Sequence, residues 1–198
     1  MQNDINGMNE AEAKQNEERV TKLRAKELFD KGLLKDMEVG TFKGLAAIHE
    51  YMYGGISEQA GKMRTVDIVK GNMRFTPVNT LETGVEFADI MPFDSFDDIV
   101  DKYIEMNIAH PFRTGNSVVL RIWLNEMLRA TLGEIVDFSV IKKDEFSAAL
   151  ELSPTDDEKL YELLKGALTS DLGRDMYLKG IDASFAYEGF TDYSVFKL

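Results

Sequence analysis

The stretch His110-Pro111-Phe112-Arg113-Thr114-Gly115-Asn116-Ser117-Val118-Val119-Leu120-Arg121 decides the fold. Pro111 disfavours helical geometry at the residue before it, so a helix arriving from upstream ends near His110. Gly115-Asn116-Ser117 breaks the chain and restarts it as a second helix. The first amides of that helix have no intrahelical acceptor, and its dipole end is positive, so the turn is a ready anion site. Arg121 falls about two turns into the helix. A His poised over such a cradle can take a proton from a hydroxyl while amides and an arginine hold phosphate charge. The pattern alone leaves a second reading open, a plain helix-loop-helix with an interior His.

Working outward, Leu120, Trp123, Leu124, Met127 and Leu128 recur at i, i+3, i+4, i+7 and i+8, an amphipathic stripe that reads as core. Upstream, Ser95 and Asp98 form a near capping box before Ile99, Val100, Tyr103, Ile104 and Ile108. Leu81, Val85, Ala88 and Ile90 predict a helix stopped by Met91-Pro92. Thr41 caps a helix through Leu45, Ile48, Tyr51 and Met52 that ends at Gly54-Gly55; His49 on it reads as structural. Ala11 to Phe29 is helical with Gly32 as its stop, and residues 1–12 read as a frayed tail. Between Thr65 and Pro77 the pattern changes. Val66, Ile68 and Val69, then Lys70-Gly71-Asn72, then Met73 and Phe75 predict the one hairpin. Further helices are expected at about 142–151, 155–169 and 170–188. The acidic run Thr155-Asp156-Asp157-Glu158 complements a helix dipole. The expected architecture is a single, mainly α domain over residues 13–198 with one small hairpin.

Composition removes several classes. There are 23 Lys and Arg against 35 Asp and Glu in 198 residues, a net charge of −12. That argues against nucleic acid and against anionic membranes as partners. The absence of Cys removes disulfides and thiolate chemistry. Only His49 and His110 are available as imidazoles, and no GxGxxG after a strand and no GxxxxGKS/T occurs. No apolar run approaches the ~20 residues of a membrane span. The polar N-terminus has no signal-peptide pattern, so a cytoplasmic location is expected.

The His110–Arg121 segment resembles the motif of the Fic (fido) family, HPFx(D/E)GNGRxxR, and the likeness runs over roughly residues 20–198. Glu38 to Leu45 with Ile48-His49 resembles the family's opening helix. Ala60-Gly61-Lys62 with Arg64, and Lys70-Gly71-Asn72 with Phe75, resemble its target-docking flap. Tyr103 to Ala109 leads into the motif as in close relatives. Ser184-Phe185-Ala186-Tyr187-Glu188-Gly189-Phe190 resembles the inhibitory SxxxE(G/N) motif of the short, self-inhibited class, with its helix at about 182–190.

The resemblance implies transfer of AMP from ATP to a hydroxyl side chain of a target protein. It makes His110 the general base and gives the nucleotide to Lys70, Gly115, Asn116, Ser117 and Arg121. It gives inhibition to Ser184, Glu188 and Gly189, which would pair with Arg121. It also implies Mg²⁺ and, for this class, self-association into a homo-oligomer.

Three departures bear on that. Thr114 stands where the metal-binding acid belongs, Ser117 replaces the second Gly, and Val118 replaces the first Arg. No metal ligand is therefore assigned, and low activity is expected. The alternatives are a catalytically dead nucleotide-binding regulator and an enzyme using another phosphate-containing donor.

Overall fold

The computed structural model describes residues 9–71 and 73–198. Its elements are α1 (Glu10–Asp30), α2 (Phe42–Tyr53), β1 (Val69–Lys70), β2 (Met73–Arg74), α3 (Leu81–Ile90) and α4 (Phe96–Ala109), followed by α5 (Asn116–Leu132), β3 (Ile135–Val136), α6 (Lys143–Leu152), α7 (Glu158–Gly166), β4 (Leu168–Thr169) and α8 (Arg174–Tyr187). The mainly α architecture with one hairpin is present.

α5 is the axis of the molecule. The expected stripe is wider than its spacing suggests, because every residue from Val118 to Leu124 is buried. A helix buried all round must lie among other helices. α5 packs against α2, α4 and α8, while α1 lies against α2 and α8, and α3 against α4.

Local chemistry fixes the helix starts. Asn9 and Glu12 form a capping box on α1, with Glu12 N–H donating to Asn9 Oδ1 at 2.9 Å. Thr41 Oγ1 accepts from Gly44 N–H at 3.1 Å, and Ser95 Oγ from Asp98 N–H at 3.1 Å. A frayed tail was expected over residues 1–12. Residues 1–8 lie outside the described residues, and residues 9–12 cap and open α1. α3 is closed from outside by the buried Lys102, whose ammonium donates to the carbonyls of Ala88, Asp89 and Met91.

Among the described residues, two β pairs are present where one was expected. β1 and β2 form the hairpin, with Val69 opposite Arg74 and Lys70 opposite Met73. Asn72, expected at its tip, lies outside the described residues. β3 pairs antiparallel with β4, so the helix expected over 155–169 ends at Gly166. Two-residue strands are too short for alternation to reveal, and their partners are about thirty residues apart. The Asn125 side chain completes the pair by bonding both N–H and C=O of Val136. Among the described residues, no helix is long and apolar enough to cross a membrane.

Candidate active site

α4 delivers His110 at its C-terminal end, in the left-handed region at φ 50°, the one non-glycine residue with positive φ among those described. That conformation is strained for a residue with a Cβ, and the surroundings must hold it. Arg64, 3% exposed, does so. Its guanidinium donates to His110 O (2.9 Å), Ala109 O (3.2 Å), Val66 O (2.8 Å) and Thr76 O. The Phe75 ring stacks on the imidazole at 3.6 Å, so the hairpin lies beside His110. Burial, then the charges of Lys70 and Arg64, pulls the His110 pKa down to about 3. The imidazole is thus neutral at pH 7 and free to accept a proton.

The loop between α4 and α5 is clamped by its own residues. The Asn116 side chain accepts from Phe112 N–H (2.8 Å) and donates to Phe112 O (2.6 Å). The carboxamide is thus spent on the loop, which leaves the backbone N–H of Asn116 as the group it offers a ligand. Gly115 has φ 75°, and a Cβ there would lie 2.3 Å from the Tyr53 ring, so the close approach that requires glycine is to Tyr53. His49 fixes the loop from below. Its Nδ1 accepts from Gly61 N–H (2.8 Å), and its Nε2 donates to Thr114 O (3.0 Å). It stacks on Phe112, and burial depresses its pKa to about 4.

What this loop offers a ligand is backbone. α5 begins after Gly115 with no side-chain cap, as do α3, α6, α7 and α8, so its first N–H groups are left without a side-chain acceptor. Its first amides face a cavity of ≈ 350 Å³ lined by Lys70, His110, Arg113, Ser117 and Glu188. A second cavity of ≈ 230 Å³ shares Lys70, His110, Ser117 and Glu188 and adds Asn107, Arg121, Phe146 and Tyr187. The two are halves of one cleft.

Arg121 is wrapped. Its Nε donates to Ser184 Oγ (2.6 Å), and its Nη2 donates to Ser184 O (2.8 Å) and Glu188 Oε1 (3.0 Å). The rings of Tyr187, Phe138 and Phe146 lie within 6 Å of its guanidinium. Glu188 Oε2 accepts from Lys70 Nζ at 3.1 Å. Burial alone would raise the Glu188 pKa, but Arg121 and Lys70 outweigh it and hold the carboxyl below its usual range. Gly189, at φ 82°, ends α8 in a Schellman-type turn, with Phe190 N–H donating to Phe185 O. Its role is therefore to turn the chain after Glu188. The buried Lys22, donating to Glu18, Phe190 O and Tyr193 O, fixes that turn on α1.

The Thr114 side chain is exposed and neutral. Among the described residues, no cluster of three His, Cys, Asp or Glu could hold a metal. The carboxylates lining the cleft are Glu17, Glu151 and Glu188, and Glu188 is already taken by two cations. The donor set does not fit Mg²⁺, which is held through carboxylates.

Sequence reasoning assigned no role to Asn107 or to the hold of Arg64. Asn107 is 3% exposed and lines the cavity, and its Nδ2 is buried without a hydrogen-bond partner. Its place three residues before His110 was a usable signal, since i and i+3 share a helix face. The bonds of Arg64 to His110 and Ala109 span 46 and 45 residues and leave no local trace.

Residues 41–128 match the Fic/DOC family. Protein adenylyltransferase VbhT of Bartonella schoenbuchensis is 29% identical over 113 residues, 52% of this chain and 23% of VbhT. A probable protein adenylyltransferase Fic of Salmonella typhimurium is 31% identical over 94 residues, 42% of this chain and 47% of the relative. The chain thus spans less than half of either relative. Among solved structures, BepC of Bartonella tribocorum with bound AMPPNP superposes with a TM-score of 0.65 at 16% identity, covering 81% of this chain and 88% of BepC. An N-terminal Fic domain of Bartonella quintana with bound ADP gives 0.66 at 17% identity, covering 83% and 88%.

Proposed function

From the match of residues 41–128 to the Fic/DOC family, we propose that the chain is a member of that family and transfers AMP from ATP to a hydroxyl side chain of a target protein, slowly and under its own inhibition. The observation that carries this reading is the neutral His110 beside the uncapped start of α5, in a cleft crossed by the Arg121–Glu188 pair. The amides of Asn116, Ser117 and Val118 would hold phosphate oxygens. His110 would take the proton of the incoming hydroxyl as its oxygen bonds to the α-phosphorus. The bond from that phosphorus to the bridging oxygen then breaks, and pyrophosphate leaves. An incoming phosphate offsets the positive field of Lys70 and Arg64 at His110, which raises the proton affinity of the imidazole when it is needed.

Glu188 occupies the Arg121 nitrogen that an outer phosphate would use, so release of that carboxylate would switch on binding. The hairpin that stacks on His110 is the surface that would present the target. The second reading, a nucleotide-binding regulator without transfer, is favoured by Thr114 and Val118, which leave the phosphates without a carboxylate-held cation and without one arginine.

The deciding experiment is incubation with ATP labelled at the α-phosphate, using Glu188→Gly and the double variant Glu188→Gly, His110→Ala. Label on protein with the first and none with the second supports transfer. Nucleotide binding with no label in either supports the regulator.

A further inference from the structure

We propose that this cleft binds phosphate without a divalent metal, its charge met by the α5 amides and by the Lys70 ammonium. The inference rests on the nucleotide reading above and concerns what neutralises the phosphates.

The argument starts from charge. Lys70, Arg113 and Arg121 all line the cleft. Of the three carboxylates on its walls, Glu188 is bonded to Arg121 at 3.0 Å and to Lys70 at 3.1 Å. Burial raises the Glu17 pKa, which opposes its use as an anionic ligand. Glu151 is an exposed residue of α6 on the Arg121 side. A small divalent cation that dehydrates reluctantly would have to enter among three positive charges, with Glu188 already bonded to two of them and with Glu17 and Glu151 lining different halves of the cleft, so that no two free carboxylates line the same half.

The α5 end, by contrast, is equipped for an anion. It has no side-chain cap, and Lys70 and Arg113 line the same half of the cleft as its first residues. Lys70 sits on the flap, lines both halves of the cleft, and is 65% exposed in its side chain. An ion pair that open is weakly held, so the ammonium can exchange one Glu188 oxygen for a phosphate oxygen at little cost. The flap lysine then supplies, as a point charge, what the loop position of Thr114 does not.

The test is calorimetry of ADP with the whole chain, in saturating Mg²⁺ and in EDTA. Kd should agree within about threefold between the two conditions, and Lys70→Ala should weaken it about tenfold in both, the loss of one charge-assisted hydrogen bond. Lys70→Arg should recover most of that loss. Tightening by Mg²⁺ of about tenfold or more overturns the inference and leaves the nucleotide reading standing. So does an unchanged Kd in Lys70→Ala, or a Lys70→Arg chain as weak as Lys70→Ala. ADP that fails to bind in both conditions overturns the nucleotide reading, and the inference with it.

Discussion

Arg121 sits 3% exposed on the central helix with Ser184 and Glu188 on its donors and aromatic rings around its plane. A buried guanidinium needs an anion, and Glu188 is that anion in the resting chain. Replacing Glu188 by Gly should free one donor for an outer phosphate and tighten ATP binding by about tenfold or more, one charge-assisted hydrogen bond. Calorimetry measures this whether or not transfer follows; an unchanged affinity removes the inhibitory role of Glu188. Thr114 and Val118 pose the complementary question. Thr114 is exposed, so Thr114→Glu costs the fold little, whereas Val118 is 2% exposed and an arginine there must reach along the cavity wall. Thr114→Glu with Val118→Arg, in the Glu188→Gly background, should raise metal-dependent AMP transfer at least tenfold, on the order of two regained phosphate contacts. Equal transfer by the unrestored chain would show that these two positions do not limit the reaction.

At the scale of elements, the hairpin and the end of α4 are tied together because Arg64 bonds carbonyls on both. It reaches Val66 and Thr76 at the foot of the hairpin and Ala109 and His110 at the helix end. Thr76 N–H also donates to Ile108 O at 3.0 Å. A planar fork serves several carbonyls at once, whereas an ammonium serves fewer and in other directions. Arg64→Lys should cost about 3 kcal/mol, one or two hydrogen bonds to a charged group. Urea unfolding measures that loss, and faster amide exchange at Thr76 would place it at the hairpin. Wild-type protection of Thr76 in the variant would show that other contacts seat the flap. These elements also mark how far the sequence could be read. The spacing of Leu120 to Leu128, the Thr41 and Ser95 caps and the Gly115 turn each write their physics into four to nine consecutive residues. The hold of Arg64 on His110, the clamp of Asn116 on Phe112 and the β3–β4 pair do not. The sequence places the Asn116 amide at the start of a helix, but that its carboxamide closes the loop on Phe112 is visible only in the geometry.

For the molecule as a whole, acid sets two opposing effects against each other. The chain carries a net charge of −12, so protonating carboxylates relieves self-repulsion, but most of that begins below about pH 5. The two histidines act earlier. Both are neutral and buried in the folded chain, His49 with its pKa near 4 and His110 near 3, against 6.5 when unfolded. Their folded values are depressed, so the unfolded chain takes up protons first as the pH falls. Stability is then full above pH 6.5 and is lost on the way down towards the folded values. By pH 5 each histidine should withdraw about 2 kcal/mol, in a window where protonation of the carboxylates has barely begun. Urea midpoints measured from pH 7.5 to 5 should therefore fall steadily. His110→Ala removes one of the two sites, so its midpoint should fall about half as steeply over the same range. A wild-type midpoint that stays level or rises between pH 6.5 and 5 would mean that the imidazoles titrate in the folded chain, and that His110 is not the buried neutral base on which the transfer reading depends.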